Sequence, residues 1–546
     1  MHALETLLRK RIASGLQRKA LTSCADWATK YRVMGEPFPG HYNFYHHPWC
    51  REIHDCQDQV IVSQKGAQLG LTETAMNKVF FAIDIQGRSV LYVLPNANPD
   101  CTDFSSSRFD PALEMSPYLM ELFTEVKNVG HKRAGSASLF IRGSRSRSQL
   151  KSLPVGLIVF DEVDEMNQDN IVLAAERTSG QKNWQHFYLS TPTIDDIGIN
   201  LYYQDSTQDN FFFPCPHCGQ QIELVFPESL VITSDDPNSK AIRDSYIICT
   251  KCKTPLDHEA KPEFLAKGKY VSTFPDAPYR GFHINQLYSS TIEPWQLARS
   301  WLRAQLNPSD EQEFYNSKLG LTHTVEGAQV TDDDIQNCMG THVKATSLPY
   351  NDLITMGVDV GKVIHVEITV WKKINNDPDP NLSHEGKLVY EGKVDEFEQL
   401  DQLMRQFRVR QCVIDAQPEK RKANEFAARF PGHVLLCYYP EGIRSKEINY
   451  HSDTYSISVD RTSWLDLSLV RLRRHAIRLP QNVSMEYKEH MKVLTRIYDK
   501  DRNDNPIGRY VKGNRADHFA HSRNYSEIAL YVVTGVGQTR AVESPW

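Results

Sequence analysis

The run Ser63-Gln64-Lys65-Gly66-Ala67-Gln68-Leu69-Gly70-Leu71-Thr72 has the residue types of a phosphate-binding loop, with its lysine displaced to the front. An ordinary loop of this kind ends in Gly-Lys-Ser/Thr, whereas here Leu71 holds the usual lysine position and Lys65 stands where the loop would open with glycine. Backbone N–H groups of a glycine-containing turn at a helix N-terminus bind phosphate oxygens, a nearby ammonium neutralises them, and a hydroxyl such as that of Thr72 suits Mg2+. Lysine can serve from either end of so short a loop. Taken alone, the pattern is matched better by a plain turn with an exposed lysine.

A second segment changes that balance. Val155-Gly-Leu-Ile-Val-Phe-Asp161-Glu162-Val-Asp164-Glu165 runs four apolar residues straight into an acidic pair. This is the arrangement needed at the carboxyl end of a central parallel strand, where Asp161 holds the water shell of Mg2+ and Glu162 polarises an attacking water. The competing reading is a strand followed by a solvated acidic turn. A third apolar run, His186 to Leu189, ends in Ser190-Thr191-Pro192-Thr193 and suits a sensor of the terminal phosphate; an ordinary Ser/Thr/Pro turn fits it equally well.

Four of the eleven cysteines form two knuckles, Cys215-Pro-His-Cys218 and Cys249-Thr-Lys-Cys252, separated by thirty residues. The spacing predicts a four-cysteine structural zinc ribbon, closed to water because all four positions are thiolates. Two local disulfides or unliganded thiols are the alternatives.

The distal half carries a second set of carboxylates. Thr355-Met-Gly-Val-Asp359 and Gln411-Cys-Val-Ile-Asp415 are apolar strands ending on Asp, and Asp517-His518-Phe-Ala-His521 places another at an apparent helix. Three carboxylates converging from two strands and a later helix suit two Mg2+ or Mn2+ ions about 4 Å apart in a nuclease centre. Like charges at that distance repel by roughly 4 kcal/mol at an effective dielectric near 20, so the cluster needs metal. Each Asp alone is an ordinary strand-end or capping residue. His518 and His521 are candidates for a proton donor and an outer partner.

These residues need a framework. From Gln59 to about residue 200 strands alternate with helical stretches, which predicts a mostly parallel α/β sheet with ligands at the strand carboxyl ends. The expected strands are 59–63, 89–94, 138–141, 157–161 and 187–190, with 276–325 helical around Trp295 and Trp301. The distal half restarts with strands at 353–358, 365–371, 387–390, 412–414 and 434–438. The expected division is a helical segment 1–40 that could contact a partner subunit, an α/β domain 41–325 with the ribbon inserted at about 205–275, a polar linker 326–352, a second α/β domain 353–535, and a tail 536–546. The N-terminal stripe of Leu4, Leu7, Leu8, Ile12 and Leu16 docks on the body or on a partner; Trp27 and Tyr31 are expected to pack on their own domain.

At 546 residues, two or three domains are expected; 40% hydrophobic and 24% charged residues describe a globular chain. No apolar run reaches membrane-spanning length and the first 34 residues are too charged for a secretory signal, so the expected location is cytoplasmic, with no membrane partner. A net charge of −6 does not itself indicate nucleic acid. The basic stretches 142–151, 420–422 and 471–478 are compatible with solvated faces or with scattered, releasable phosphate contacts.

Together these motifs resemble the large terminase subunits of tailed phages, in the lambda-like branch. The likeness includes Ala25-Asp-Trp27-Ala, the lysine-first loop Lys65 to Thr72, Phe160-Asp161-Glu162-Val-Asp164, Ser190-Thr191-Pro192, the cysteine knuckles and Val459-Asp460-Arg461-Thr462. The resemblance implies an N-terminal P-loop ATPase that pumps double-stranded DNA into a procapsid and a C-terminal ribonuclease-H-like nuclease that cuts the concatemer. It implies ATP at Lys65–Thr72, Mg2+ at Thr72 and Asp161, water activation by Glu162, and nuclease metals at Asp359, Asp415 and Asp517. It also implies a small terminase subunit, a portal protein and further copies of the chain as partners, in the host cytoplasm. An arginine against the terminal phosphate is sought among Arg108, Arg145 and Arg177, and an adenine contact among Tyr42, Tyr45 and Gln59. The rival readings are a DNA-repair helicase-nuclease and a nonenzymatic DNA-binding assembly factor.

Overall fold

Four strands of the first half are buried along their whole length: β1 (Val60–Lys65), β2 (Val90–Leu94), β4 (Leu157–Asp161) and β5 (Gln185–Ser190). Both faces of such strands must be covered, which is the situation of central parallel strands. Alternate residues serve two cores. Ile61, Tyr92, Val159 and Phe187 face one, and Val62, Leu91, Phe160 and Tyr188 face the other. A computed structural model describes residues 22–123, 127–151, 153–348, 353–440, 446–500, 506–513, 515–535 and 538–539. The stripe Leu4 to Leu16 and most of the tail lie outside them.

The described chain divides into two compact units, Met1–His323 and Thr324–Trp546. With β3 (Ala137–Gly143), β6 (Asp209–Pro214) and β7 (Arg280–Ile284), the first unit forms a parallel run in the order β6-β7-β1-β5-β4-β2-β3. Short antiparallel strands extend both ends. Helix α1 (Leu71–Asp84) follows β1 after a five-residue loop and buries most of its side chains. The segment 276–325 is not wholly helical as expected, because β7 inserts between β1 and β6. The helix Cys24–Tyr31 packs through Trp27, whose Nε1 donates to Asp84 (2.9 Å), and Tyr31 stacks on Tyr118 at 3.9 Å.

The second unit holds a nine-stranded sheet. Its β8 (Leu353–Asp359) pairs antiparallel with β9 (Ile364–Lys373), which pairs antiparallel with β10 (His384–Val394). On the other side β8 runs parallel to β11 (Gln411–Asp415), and β11 to β12 (Val434–Tyr438). Helix α2, the six-residue Ile199–Gln204 of the first unit, and α3 (His518–Thr534) of the second are the two helices that bear most on the sites. α3 lies directly on β8: a Cβ on Gly357 would sit 1.9 Å from the Ser522 carbonyl oxygen, so only glycine admits this approach. On the buried side of α3, its own Arg523 and Glu527 form a fully buried neutral set with Glu367 and Arg471: Arg523–Glu367 (2.8 Å), Arg523–Glu527 (2.8 Å) and Arg471–Glu527 (2.7 Å). Mutual pairing is what makes four charges tolerable there.

The segment 326–352, expected as a polar linker, is packed where it is described. Val330, Ile335 and Cys338 join the same core as Leu472 and Leu479. No described helix is long and apolar enough to cross a membrane.

Candidate functional site

Because β1, β4 and β5 are parallel neighbours, their carboxyl ends bring Lys65, Asp161-Glu162 and Ser190 to one edge, with β5 between the loop and the acidic pair. Lys65 ends β1 and is buried. Gly66 N–H donates to Ile284 O (2.9 Å) and Ala67 N–H to Ser317 O (2.7 Å), which tie the front of the loop to β7 and to residues 314–320. Trp49 Nε1 donates to Leu69 O (2.9 Å) and fixes the back. The turn from Gln68 to Thr72 then opens α1, whose first N–H groups have no partner within the helix. Two of the loop's amides are therefore committed to the fold, which leaves those of its second half without a backbone partner.

Asp161 is 2% exposed. Its Oδ2 accepts a 2.6 Å hydrogen bond from the Tyr92 hydroxyl. Burial, then the charge of Glu162, pushes its pKa up to about 6; the Lys65 ammonium and the Tyr92 and Thr72 hydroxyls pull the other way. The Thr72 hydroxyl is near enough to favour the charged form, yet no hydrogen bond of ordinary geometry reaches Oδ1, which is buried without a partner. An orphaned buried carboxylate oxygen beside a hydroxyl and a helix N-terminus fits a hard cation with phosphate.

Glu162 sits at φ +66, ψ +52, left-handed for a residue with a side chain, and its N–H donates to Leu189 O (3.0 Å). Strain of this kind is kept where neighbours enforce a side-chain direction. Asp164, on the following turn, donates its N–H to Ser190 Oγ (3.3 Å), and its carboxylate accepts from Ile199 N–H (3.2 Å) at the start of α2. Asn200 donates to Gln64 Oε1 (3.1 Å), and Gln64 donates to Gly320 O (3.0 Å). The acidic turn, Ser190, α2 and the strand under the loop are thus hydrogen-bonded in series.

The arginine candidates separate. Arg108 lies 3.9 Å from Glu73, which follows Thr72. Arg145 is exposed just beyond the carboxyl end of β3. Arg177 is placed at the opposite edge, since Thr178 bonds His186 near the start of β5 (2.9 Å). Gln59 is at that opposite edge too, its carbonyl accepting from His186 N–H. Tyr42 is buried and Tyr45 is 54% exposed; it is His47 that abuts Gly70.

The four knuckle cysteines are free thiols whose sulfurs lie within 4.8 Å of one another, Cys215 and Cys252 at 3.9 Å. With Zn–S near 2.3 Å, a tetrahedron requires sulfurs about 3.8 Å apart. Lys251 and Cys252 N–H groups donate to Cys249 Sγ (3.4 Å each), as expected around a thiolate ligand. The donor set fits zinc. β6 ends at Pro214, one residue before Cys215, so the knuckles are joined directly to the central sheet.

In the second unit, Asp359 and Asp415 close adjacent parallel strands, one step beyond the Val358–Ile414 pair. Burial pushes Asp415 up to about 6, with Asp359's charge adding to it. Such mutual destabilisation of two anions is relieved by cations, so these two fit divalent metal. Asp517 is placed differently. It precedes α3 and accepts from Lys512 Nζ (2.7 Å) and from His521 Nε2 (3.1 Å). Burial alone would raise its pKa, but those two partners hold it well below the carboxylate range.

Two histidines also come close to Asp359. His518 Nδ1 lies 2.8 Å from Asp359 Oδ2, a contact that raises the histidine's pKa, and His365 faces Asp359 across the β8–β9 ladder. His365 has no motif around it; only the register of a hairpin could have found it. Arg461 Nη2 reaches His521 (3.1 Å), which gives the 459–462 motif a place beside the site, while Asp460 caps the next helix through Ser463 N–H (2.8 Å). Of the basic stretches, Arg471 is a core ion-pair residue rather than a phosphate contact.

Two family models decide what this arrangement belongs to. Residues 36–270 match the ATPase domain of the phage terminase large subunit gpA, and residues 279–376 match the gpA endonuclease domain. The chain belongs to the gpA family of phage terminase large subunits. The ATPase match spans the loop, the acidic pair and the knuckles; the nuclease match includes β8 with Asp359 and β9 with His365.

Among curated proteins, the terminase large subunit of Enterobacteria phage P21 is 24% identical over 293 residues, 47% of this chain and 45% of that protein. The match thus spans about half the length of this curated relative. Solved structures with similarity include the HK97 bacteriophage large terminase (10% identity, 92% of this chain and 98% of that one, TM-score 0.45). The nuclease of the large terminase of thermophilic phage G20c with bound magnesium is 11% identical, covering 37% and 98%, with TM-score 0.24. Family membership rests on the two gpA models.

Proposed function

We propose that this terminase subunit couples ATP hydrolysis to movement of double-stranded DNA into a procapsid, and cuts concatemeric DNA at a separate metal-dependent centre. The observation that carries the motor half is the meeting of Lys65, Thr72 and the unpartnered Asp161 oxygen at one strand edge. Lys65 neutralises phosphate charge from the front of the loop while the free amides of Gln68 to Thr72 bind phosphate oxygens. Thr72 and Asp161 would hold Mg2+, which would supply charge neutralisation for the phosphates. Glu162, fixed by its left-handed backbone, orients and polarises the attacking water. Ser190 and Asp164 pass the change to α2 and, through Asn200 and Gln64, to the segment around Gly320.

For cleavage, Asp359 and Asp415 are the proposed metal-holding pair, with Asp517 as the third carboxylate, kept charged by Lys512 and His521. These carboxylates would hold divalent metal, which would supply Lewis-acid activation of water and charge neutralisation at the leaving oxygen. His521, which contacts both Asp517 and Arg461, is a proposed proton donor or outer partner of the centre. Zinc at the four cysteines has a structural part. A small terminase subunit, the portal protein and further copies of this chain are the proposed partners, and the host cytoplasm the site of action.

The test is ATPase activity of the full chain with and without empty, portal-bearing procapsids. Stimulation by procapsids supports the packaging reading. Unwinding of a forked duplex with no response to procapsids would transfer the chain to the repair helicase-nucleases.

A further inference from the structure

We infer that Asp359, His365 and His518 form a mixed imidazole–carboxylate metal position, so that the cleavage centre takes a borderline divalent ion such as Mn2+ or Co2+ in preference to Mg2+. One potential ligand atom from each of the three lies within 4.8 Å of the others. Each comes from a different element of one rigid assembly: the end of β8, the facing residue of β9, and the first residue of α3.

The second, independent observation is His365 itself. Its side chain is 6% exposed, and its Nδ1 is buried with no hydrogen-bond partner. A buried polar atom left unpaired is uncommon, because burial removes its water without compensation. On its other side, Nε2 faces the Glu486 carboxylate at 3.9 Å, and Glu486 is held by Lys393 at 2.7 Å. The carboxylate lies on the side of Nε2, beyond hydrogen-bond distance, and the buried Nδ1 is the nitrogen left without a partner. The His365 and His518 rings lie 4.6 Å apart and nearly parallel (17°), with His490 5.9 Å from His365.

Asp517, which precedes α3, accepts from Lys512 and His521. The donor that α3 itself directs at Asp359 is His518, 2.8 Å away. Two imidazoles with one carboxylate suit Mn2+, Fe2+, Co2+ and Zn2+, whereas Mg2+ favours all-oxygen surroundings and retained water. The use of this position in cleavage rests on the nuclease reading above; metal binding through histidine does not.

The test uses the full chain, with zinc first supplied to the cysteine site, and Mn2+ alone as the probe. Pulsed electron paramagnetic resonance of bound Mn2+ is expected to show 14N couplings from imidazole. These are lost in His365→Ala/His518→Ala, with Mn2+ affinity down roughly tenfold or more, and kept in Asp415→Asn. Oxygen-only coordination in the wild type, which needs no variant to fold, overturns the inference, as do 14N couplings that survive the double substitution. Plasmid cleavage is read in parallel. Cleavage with oxygen-only Mn2+ sinks this inference and leaves the nuclease reading standing; 14N-coupled Mn2+ without cleavage does the reverse.

Discussion

Tyr92 donates a 2.6 Å hydrogen bond to one oxygen of Asp161 and leaves the other oxygen buried and unpaired. The phenol thus stabilises the charged carboxylate and holds it in one orientation, with its second oxygen available to a cation. Tyr92 is fully buried on β2, next to β4, so it acts as a fixed part of the sheet.

Tyr92→Phe removes this bond and keeps the ring. In the proposed role Asp161 would have to be ionised to hold Mg2+, and its pKa is already lifted to about 6, chiefly by burial. Losing a hydrogen bond to a charged group costs about 1.5–3 kcal/mol, so the pKa rises by about one unit or more. The acid limb of ATP hydrolysis is expected to move to higher pH by that amount, measured as kcat against pH, with activity largely recovered at alkaline pH. An unchanged acid limb would remove Tyr92 from the account.

Gly198 immediately precedes α2 at φ +57, ψ −130 and packs against the acidic turn, where a Cβ would lie 2.1 Å from Asp164 Oδ2. Gly198→Ala should cost about 1–3 kcal/mol from backbone strain, and more where the carboxylate must move. Gly180→Ala, with nothing within 4 Å, is the control. Urea unfolding should separate the two, and Gly198→Ala should also slow ATP hydrolysis because Asp164 loses its place at Ile199 N–H.

Zinc at the four cysteines is expected by elemental analysis, and Cys215→Ser/Cys249→Ser should lower the zinc content by one per chain. β6 enters the first knuckle and pairs with β7, whose Ile284 carbonyl holds Gly66. Zinc loss is therefore expected to lower the thermal midpoint of the first unit and its nucleotide affinity together. Retention of both after the metal is gone would show the knuckles to be an independent appendage.

Much of this architecture is legible in the amino-acid order. Leu157 to Asp161 is at once a buried strand and the positioner of the acidic pair, so one apolar run carries both readings. Asp359 and Asp415 are legible for the same reason. The strand Arg280–Ile284 is not, because its five residues mix charge, glycine and histidine and become a strand only through the slot between β1 and β6. The packing of 326–348 is hidden similarly: Val330, Ile335 and Cys338 are sparse apolar residues among acids, buried by a surface formed elsewhere in the chain. His365 depends on the register of β8 and β9, and the pairing of Asp517 depends on Lys512 across a turn.

The central claim is that two chemical centres act independently in one chain, and reciprocal substitution tests it most directly. ATP hydrolysis and Mn2+-dependent plasmid nicking are measured side by side for Lys65→Ala and Asp359→Ala, each confirmed folded by circular dichroism. The account predicts loss of ATP hydrolysis with nicking intact in the first, and loss of nicking with ATP hydrolysis intact in the second. Collapse of both activities in both folded variants would contradict it.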